Sequence, residues 1–154
     1  MMPLKPPATP EIMLVEDNQG DVRLVFEAFN LNHIPGQITV ATNGADAIEM
    51  LHRRGEFAKT PVPDLILLDL HLPRTSGLEV LAVIKKNSRL HHIPVIIMTS
   101  SSADDDILRS YQSHANCCVT KPVNLDEFMK LVKAIGDFWL SVARLPSREL
   151  RERL

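Results

Sequence analysis

Three acids in this chain sit where chemistry could be done. Glu16 and Asp17 follow the apolar run Ile12-Met13-Leu14-Val15, and Asp69 follows Leu65-Ile66-Leu67-Leu68. Thr99 and Ser100 follow a third apolar run that starts at Pro94, and Lys121-Pro122 follows a fourth that starts at Cys117. Carboxylates crowded together repel one another and call for a cation. An oxygen donor set without cysteine or histidine favours Mg²⁺, Mn²⁺ or Ca²⁺. Mg²⁺ commonly takes one or two carboxylates, several waters and a phosphate oxygen. An ammonium at Lys121 and a hydroxyl at Thr99 would both donate to phosphoryl oxygens. A carboxylate beside such a cation is also a nucleophile toward phosphorus, giving an aspartyl phosphate. Lysine and metal would stabilise charge on the transferred oxygens.

Each feature alone has a plainer reading. Glu16-Asp17 suits a helix entry, where acids favour the dipole. Asp69 suits a loop turn, Lys121-Pro122 a turn, and the run Thr99 to Ser102 a helix cap. The conjunction is what argues for function, and it depends on the elements that carry these residues.

Strand and helix alternate five times. Ile12 to Val15 reads as a buried strand; Asp21 to Leu31 reads as a helix with Val22, Val25, Phe26 and Phe29 on one face. Gln37 to Ala41 is a second strand, and Asn43 caps a helix holding Ala47, Ile48 and Leu51. A loop from Gly55 to Pro63 leads to strand Leu65 to Leu68, apolar throughout and so buried on both faces. A loop with Pro73 and Gly77 leads to a helix with Val80, Leu81 and Ile84. Strand Pro94 to Met98, a polar helix from Asp104 to Ser113, strand Cys117 to Val119 and a helix from Leu125 to about Ala143 complete the series. Such alternation with short connections implies a parallel sheet covered by helices on both sides. In these sheets the functional crevice lies beyond the carboxyl ends of the strands, where the acids, the hydroxyl and the ammonium fall.

The chain has 154 residues, 45% of them hydrophobic and 23% charged, with a formal charge of −2. That is one globular domain's worth of chain with an ordinary core. The near-neutral balance argues against nonspecific nucleic-acid binding, and no apolar run is long enough to span a membrane. Residues 1–10 hold four prolines and read as a flexible, partly polyproline tail without a secretory signal's apolar centre. Cys117 and Cys118 are adjacent, too close for an ordinary disulfide, and suit a reduced, cytoplasmic protein.

Over roughly residues 11 to 140 the chain resembles the receiver domains of two-component response regulators. The resemblance rests on Ile12-Met13-Leu14-Val15-Glu16-Asp17-Asn18, on Pro63-Asp64 through Leu72-Pro73, and on Gly77, Met98-Thr99-Ser100 and Thr120-Lys121-Pro122. It implies a flavodoxin-like (CheY-like) doubly wound five-stranded parallel sheet, (βα)₅ in three α/β/α layers. It implies a tail over 1–10, a receiver domain over 11–143 and a C-terminal tail over 144–154. Asp69 becomes the phosphoacceptor, Glu16 and Asp17 the acidic pair that holds Mg²⁺ with Asp69, and His71 the backbone carbonyl ligand. Thr99 becomes the switch hydroxyl, and Lys121 the lysine that meets the phosphoryl group, joined to Pro122 by a cis peptide bond. A narrower likeness is to the small regulators paired with cyanobacterial phytochromes, carried by Asp106 to Tyr111, His114 to Cys117, Asp137 to Leu140 and the loop from Arg53 to Pro63. The implied donor is a light-regulated histidine kinase.

One position departs from the receiver pattern. Cys118 stands three residues before Lys121, where such domains carry an aromatic switch residue. It is expected to be a small packing residue. The last helix is apolar beyond what the sheet needs, and Phe138, Trp139 and Val142 form an expected homodimer face. Too little chain follows the receiver for a DNA-binding output domain, so the expected output is contact with a downstream protein or a phosphoryl relay. The mixed charges of Arg148, Glu149, Arg151, Glu152 and Arg153 read as a solvated end, and His91-His92 as a loop end before Pro94. A receiver fold kept for phosphorylation-independent binding is the alternative. Flavin binding lacks its glycine-rich loop, external phosphatase turnover lacks a second acid two residues after Asp69, and zinc binding lacks spaced cysteines.

Overall fold

A computed structural model describes residues 8–153; residues 1–7 of the proline-rich tail lie outside the described residues. Five parallel strands form one sheet in the order β2-β1-β3-β4-β5. They are β1 (Glu11–Val15), β2 (Gln37–Ala41), β3 (Leu65–Leu68), β4 (Val95–Thr99) and β5 (Cys117–Thr120). The helices between and after them are α1 (Gln19–Leu31), α2 (Gly44–His52), α3 (Gly77–Lys86), α4 (Asp104–Gln112) and α5 (Leu125–Asp137). This is the expected doubly wound arrangement, and the order reverses between β1 and β3, where a crevice opens.

Side chains alternate across the central strands, so each strand feeds two cores. Ile12, Leu14, Leu65, Leu67, Ile96 and Met98 face α1 and α5, which bury Val25, Phe29, Phe128 and Val132 against them. Met13, Val15, Ile66, Leu68, Val95 and Ile97 face α2 and α3, which bury Met50, Leu51, Val80 and Ile84. Adjacent Cys117 and Cys118 divide in the same way, one packing on each core.

Helix starts are written locally. Asn18, Asn43, Ser76 and Asn124 each accept a hydrogen bond from the backbone three residues on, at Asp21, Asp46, Glu79 and Glu127. An acid at each of those positions suits the helix dipole. Two glycines allow close approach near the crevice. A Cβ on Gly77 would lie 2.1 Å from the Asp69 carbonyl oxygen, and one on Gly44 would lie 1.9 Å from that of Thr75.

The structure departs from expectation in three places. No cis peptide bond occurs among the described residues, so Lys121–Pro122 is trans. Trans is the lower state of an X–Pro bond by ~0.5–1 kcal/mol, and here it already delivers Lys121 to the acids. The last long helix stops at Asp137 and passes into a π-turn over Phe138–Val142. That turn rephases the side chains: Trp139 and Leu140 pack against the α1/α5 core, whereas Phe138 and Val142 stay 50% and 71% exposed. The C-terminal end is not merely solvated. A short helix α6 (Arg148–Arg151) returns to the sheet, where Arg151 donates to Asp64 Oδ1 at 2.8 Å. The acids that open β1 and β3 at this edge, Glu11 and Asp64, attract it.

Candidate functional site

Strands β1, β3 and β5 deliver their last residues to one edge. Glu16 and Asp69 are buried there at 3% and 8% exposure, and Asp17 is exposed. Oxygens of Glu16, Asp17 and Asp69 all lie within 4.8 Å of one another. Backbone bonds fix the frame: Glu16 N–H donates to the Ala41 carbonyl at 3.0 Å, and Asp69 N–H to that of Val15 at 3.0 Å. Lys121 N–H donates to the Thr99 carbonyl at 2.7 Å, which ties the lysine to the end of β4.

The Lys121 ammonium donates to Glu16 Oε2 at 2.5 Å, Asp21 Oδ2 at 3.0 Å and Asp69 Oδ2 at 3.3 Å. One cation thus serves three carboxylates. Burial pushes the Glu16 carboxyl up to about 7, against the lowering pull of the Lys121 hydrogen bond. Burial alone would lower the Lys121 pKa, but the hydrogen bond and charge of Glu16, with the charge of Asp69, hold it above its usual value. Lys121 therefore stays charged at neutral pH.

The sequence-predicted residues do not all meet. Glu16, Asp17, Asp69 and Lys121 converge. Thr99 is fully buried, and its Oγ1 accepts from Ser101 N–H at 3.2 Å. His71 follows on the same loop, and its N–H reaches Asp69 Oδ1 at 3.4 Å. Asp21 was not singled out from the sequence. Its signal is an acid in the first turn of the helix that leaves Glu16-Asp17, where the sequence shows only a helix start. Cys118 is half-buried, and its backbone N–H donates to the Tyr111 hydroxyl at 3.2 Å. The aromatic ring beside β5 therefore comes from α4. Burial pushes the Cys118 thiol up, which leaves it a weak nucleophile.

The donor set suits a hard divalent cation. Glu16, Asp17 and Asp69 supply oxygens only, clustered closely enough to share one ion. Bound there, such a cation would neutralise charge on phosphoryl oxygens.

A parallel sheet with this edge defines a class of signalling domain that accepts a phosphoryl group on an aspartate. The response regulator receiver domain family matches residues 12–133, and the chain belongs to that family. Response regulator Rcp1 of Synechocystis sp. (strain ATCC 27184 / PCC 6803 / Kazusa) is 43% identical over 136 residues, 88% of this chain and 92% of that protein. The crystal structure of phosphorylated RcpA, a cyanobacterial phytochrome response regulator, superposes with a TM-score of 0.88 at 46% identity, covering 91% of this chain and all of that one. The Mn²⁺-bound form of Rcp1 superposes with a TM-score of 0.86 at 43% identity, covering 90% of this chain and 99% of that one. The chain is a response regulator related to the phytochrome response regulators.

Proposed function

We propose that Asp69 is the phosphoacceptor of this receiver and that a histidine kinase is the donor. The observation that carries the reading is the junction of Glu16, Asp17 and Asp69 with the Lys121 ammonium at one sheet edge. An Asp69 carboxylate oxygen attacks phosphorus; a P–O bond forms as the P–N bond of the donor phosphohistidine breaks, and the imidazole leaves with its electron pair. Lys121 follows the incoming oxygens by releasing its hold on Asp69. The Thr99 hydroxyl leaves Ser101 for a phosphoryl oxygen, and that exchange reports the modification to α4 and β5. Mg²⁺ is the cation assigned to Glu16, Asp17, Asp69 and the His71 carbonyl, and the structure of Mn²⁺-bound Rcp1 supports a divalent ion in this setting. The likeness to Rcp1 and RcpA supports a light-regulated phytochrome as the kinase. The signal then passes through protein contacts, a homodimer among them. Slow self-dephosphorylation is expected, without turnover of external esters. A cytoplasmic location fits the free thiols of Cys117 and Cys118.

The test is incubation with Mg²⁺ and a small-molecule acyl phosphate, read by intact mass beside Asp69→Asn. A phosphoryl adduct is expected in the parent chain and not in the variant or in EDTA. An adduct that survives Asp69→Asn would move the acceptor elsewhere. No adduct from either the acyl phosphate or a phosphorylated phytochrome kinase would favour a receiver fold kept for binding alone.

A further inference from the structure

The sheet edge opposite the acids carries a second charged cleft that phosphoacceptor chemistry does not use. The C-terminal segment folds back onto that edge. Arg151 donates to the Pro63 carbonyl at 3.1 Å, and Arg148 to that of Thr9 at 3.0 Å. Between this segment, the end of α2 and the loops before β3 and β4 lies a cleft of about 540 Å³. Small-molecule sites span ~300–1,000 Å³.

Four arginines line it, Arg53, Arg89, Arg148 and Arg151, together with Glu11 and Glu152. Arg53 and Arg89 are exposed and form no ion pair with a described residue. Arg148 stands 3.9 Å from Glu11 and 3.9 Å from Asp64, a loose pairing. Two groups in the wall also want partners. Both ring nitrogens of His92 and the Nε of Arg151 are buried without one, while the other Arg151 nitrogens meet Asp64 and the Pro63 carbonyl. Buried polar atoms in native proteins are nearly always bonded, and an unmet one costs about 1–3 kcal/mol. A ligand acceptor reaching past the wall would meet the Arg151 Nε–H and the single N–H of the neutral His92 ring, whose other nitrogen takes a donor. Guanidinium forks match phosphate oxygens in pairs. Pro61 and Val62 give the same cleft an apolar wall.

We propose that this cleft binds a small phosphate-bearing molecule of nucleotide size, its phosphates held by Arg53, Arg89 and Arg148, with His92 and Arg151 meeting it from the buried wall. Its planar body rests on Pro61 and Val62. Arg148, Arg151 and Glu152 lie beyond residues 12–133, outside the part that matches the receiver family.

The test titrates the full chain in EDTA at low ionic strength with ADP and, separately, inorganic pyrophosphate. Calorimetry reads affinity, and nuclear magnetic resonance reads the His92 ring. Without metal the acids at the other edge repel both probes. Saturable one-to-one binding of ADP is expected, with pyrophosphate weaker and the His92 ring signals shifted. Arg53→Gln and Arg89→Gln should each weaken ADP at least tenfold with thermal unfolding unchanged, while Asp69→Asn leaves it intact. Absence of saturable binding, affinity indifferent to both arginine variants, or loss of binding in Asp69→Asn would each overturn the proposal. Pyrophosphate binding as tightly as ADP would overturn the nucleotide-sized assignment.

Discussion

Lys121 holds Glu16, Asp21 and Asp69 through a side chain that is itself 8% exposed. Removing one member of a buried ion pair strands the other charge and costs about 3–5 kcal/mol. Lys121→Met is therefore expected to lower the stability of the metal-free protein by about 3 kcal/mol, measured by urea unfolding in EDTA. A divalent ion that binds only the folded state adds stability by mass action. It would do more for the variant, whose carboxylates lack their cation, so Mg²⁺ should narrow the gap. The same loss with and without Mg²⁺ would mean that lysine and metal do not share these carboxylates. Phosphoryl uptake should also slow, because the departing charge on the oxygens loses its donor.

Gly77 opens α3 directly against the backbone of Asp69, with no room for a side chain between them. Overpacking of this kind typically costs about 1–3 kcal/mol. Gly77→Ala should lower the urea midpoint by an amount in that range and slow acyl-phosphate labelling of Asp69, since the strand end must shift. Loss of stability with unchanged labelling would separate the glycine from the site. This contact shows which parts of the molecule a single chain of letters conveys. Strands β1, β3 and β4 are legible because apolar runs such as Leu65 to Leu68 admit no other placement than a buried sheet. The cap at Asn43 is local chemistry and was legible, whereas those at Asn18 and Asn124 emerge from the structure; the convergence of Glu16, Asp69 and Lys121 follows once the strands are parallel. Asp21 was illegible as a partner of Lys121 because its role depends on where another strand's lysine ends. The π-turn at Phe138–Val142 was illegible for a similar reason: the apolar spacing continues through it, and only packing of Trp139 on the core shows the change of phase. The return of Arg151 to Asp64 joins residues far apart in the chain, and charge pattern alone suggested solvent.

At the scale of the whole molecule, Phe138 and Val142 remain exposed on the π-turn beyond α5, with the Phe138 ring set edge-on to Trp139 at 5.2 Å. An exposed apolar cluster beside a partly buried aromatic suits a second copy of the chain. Light scattering across a concentration series should show dimer formation, shifted by acyl phosphate and reduced by Phe138→Glu. Monomer at every concentration in both states would remove the dimer from the signalling scheme.

The lysine at the acidic edge has one more consequence, for supply rather than chemistry. Proteins whose carboxylates depend on an ion for neutrality fold only when the ion arrives. Here Lys121 brings one counter-charge of the chain's own, so on the proposed function a newly made molecule is expected to fold in a cell starved of magnesium. Scarcity would leave the pool of regulator full and silent, and restoring the ion would restore signalling at once, without new synthesis.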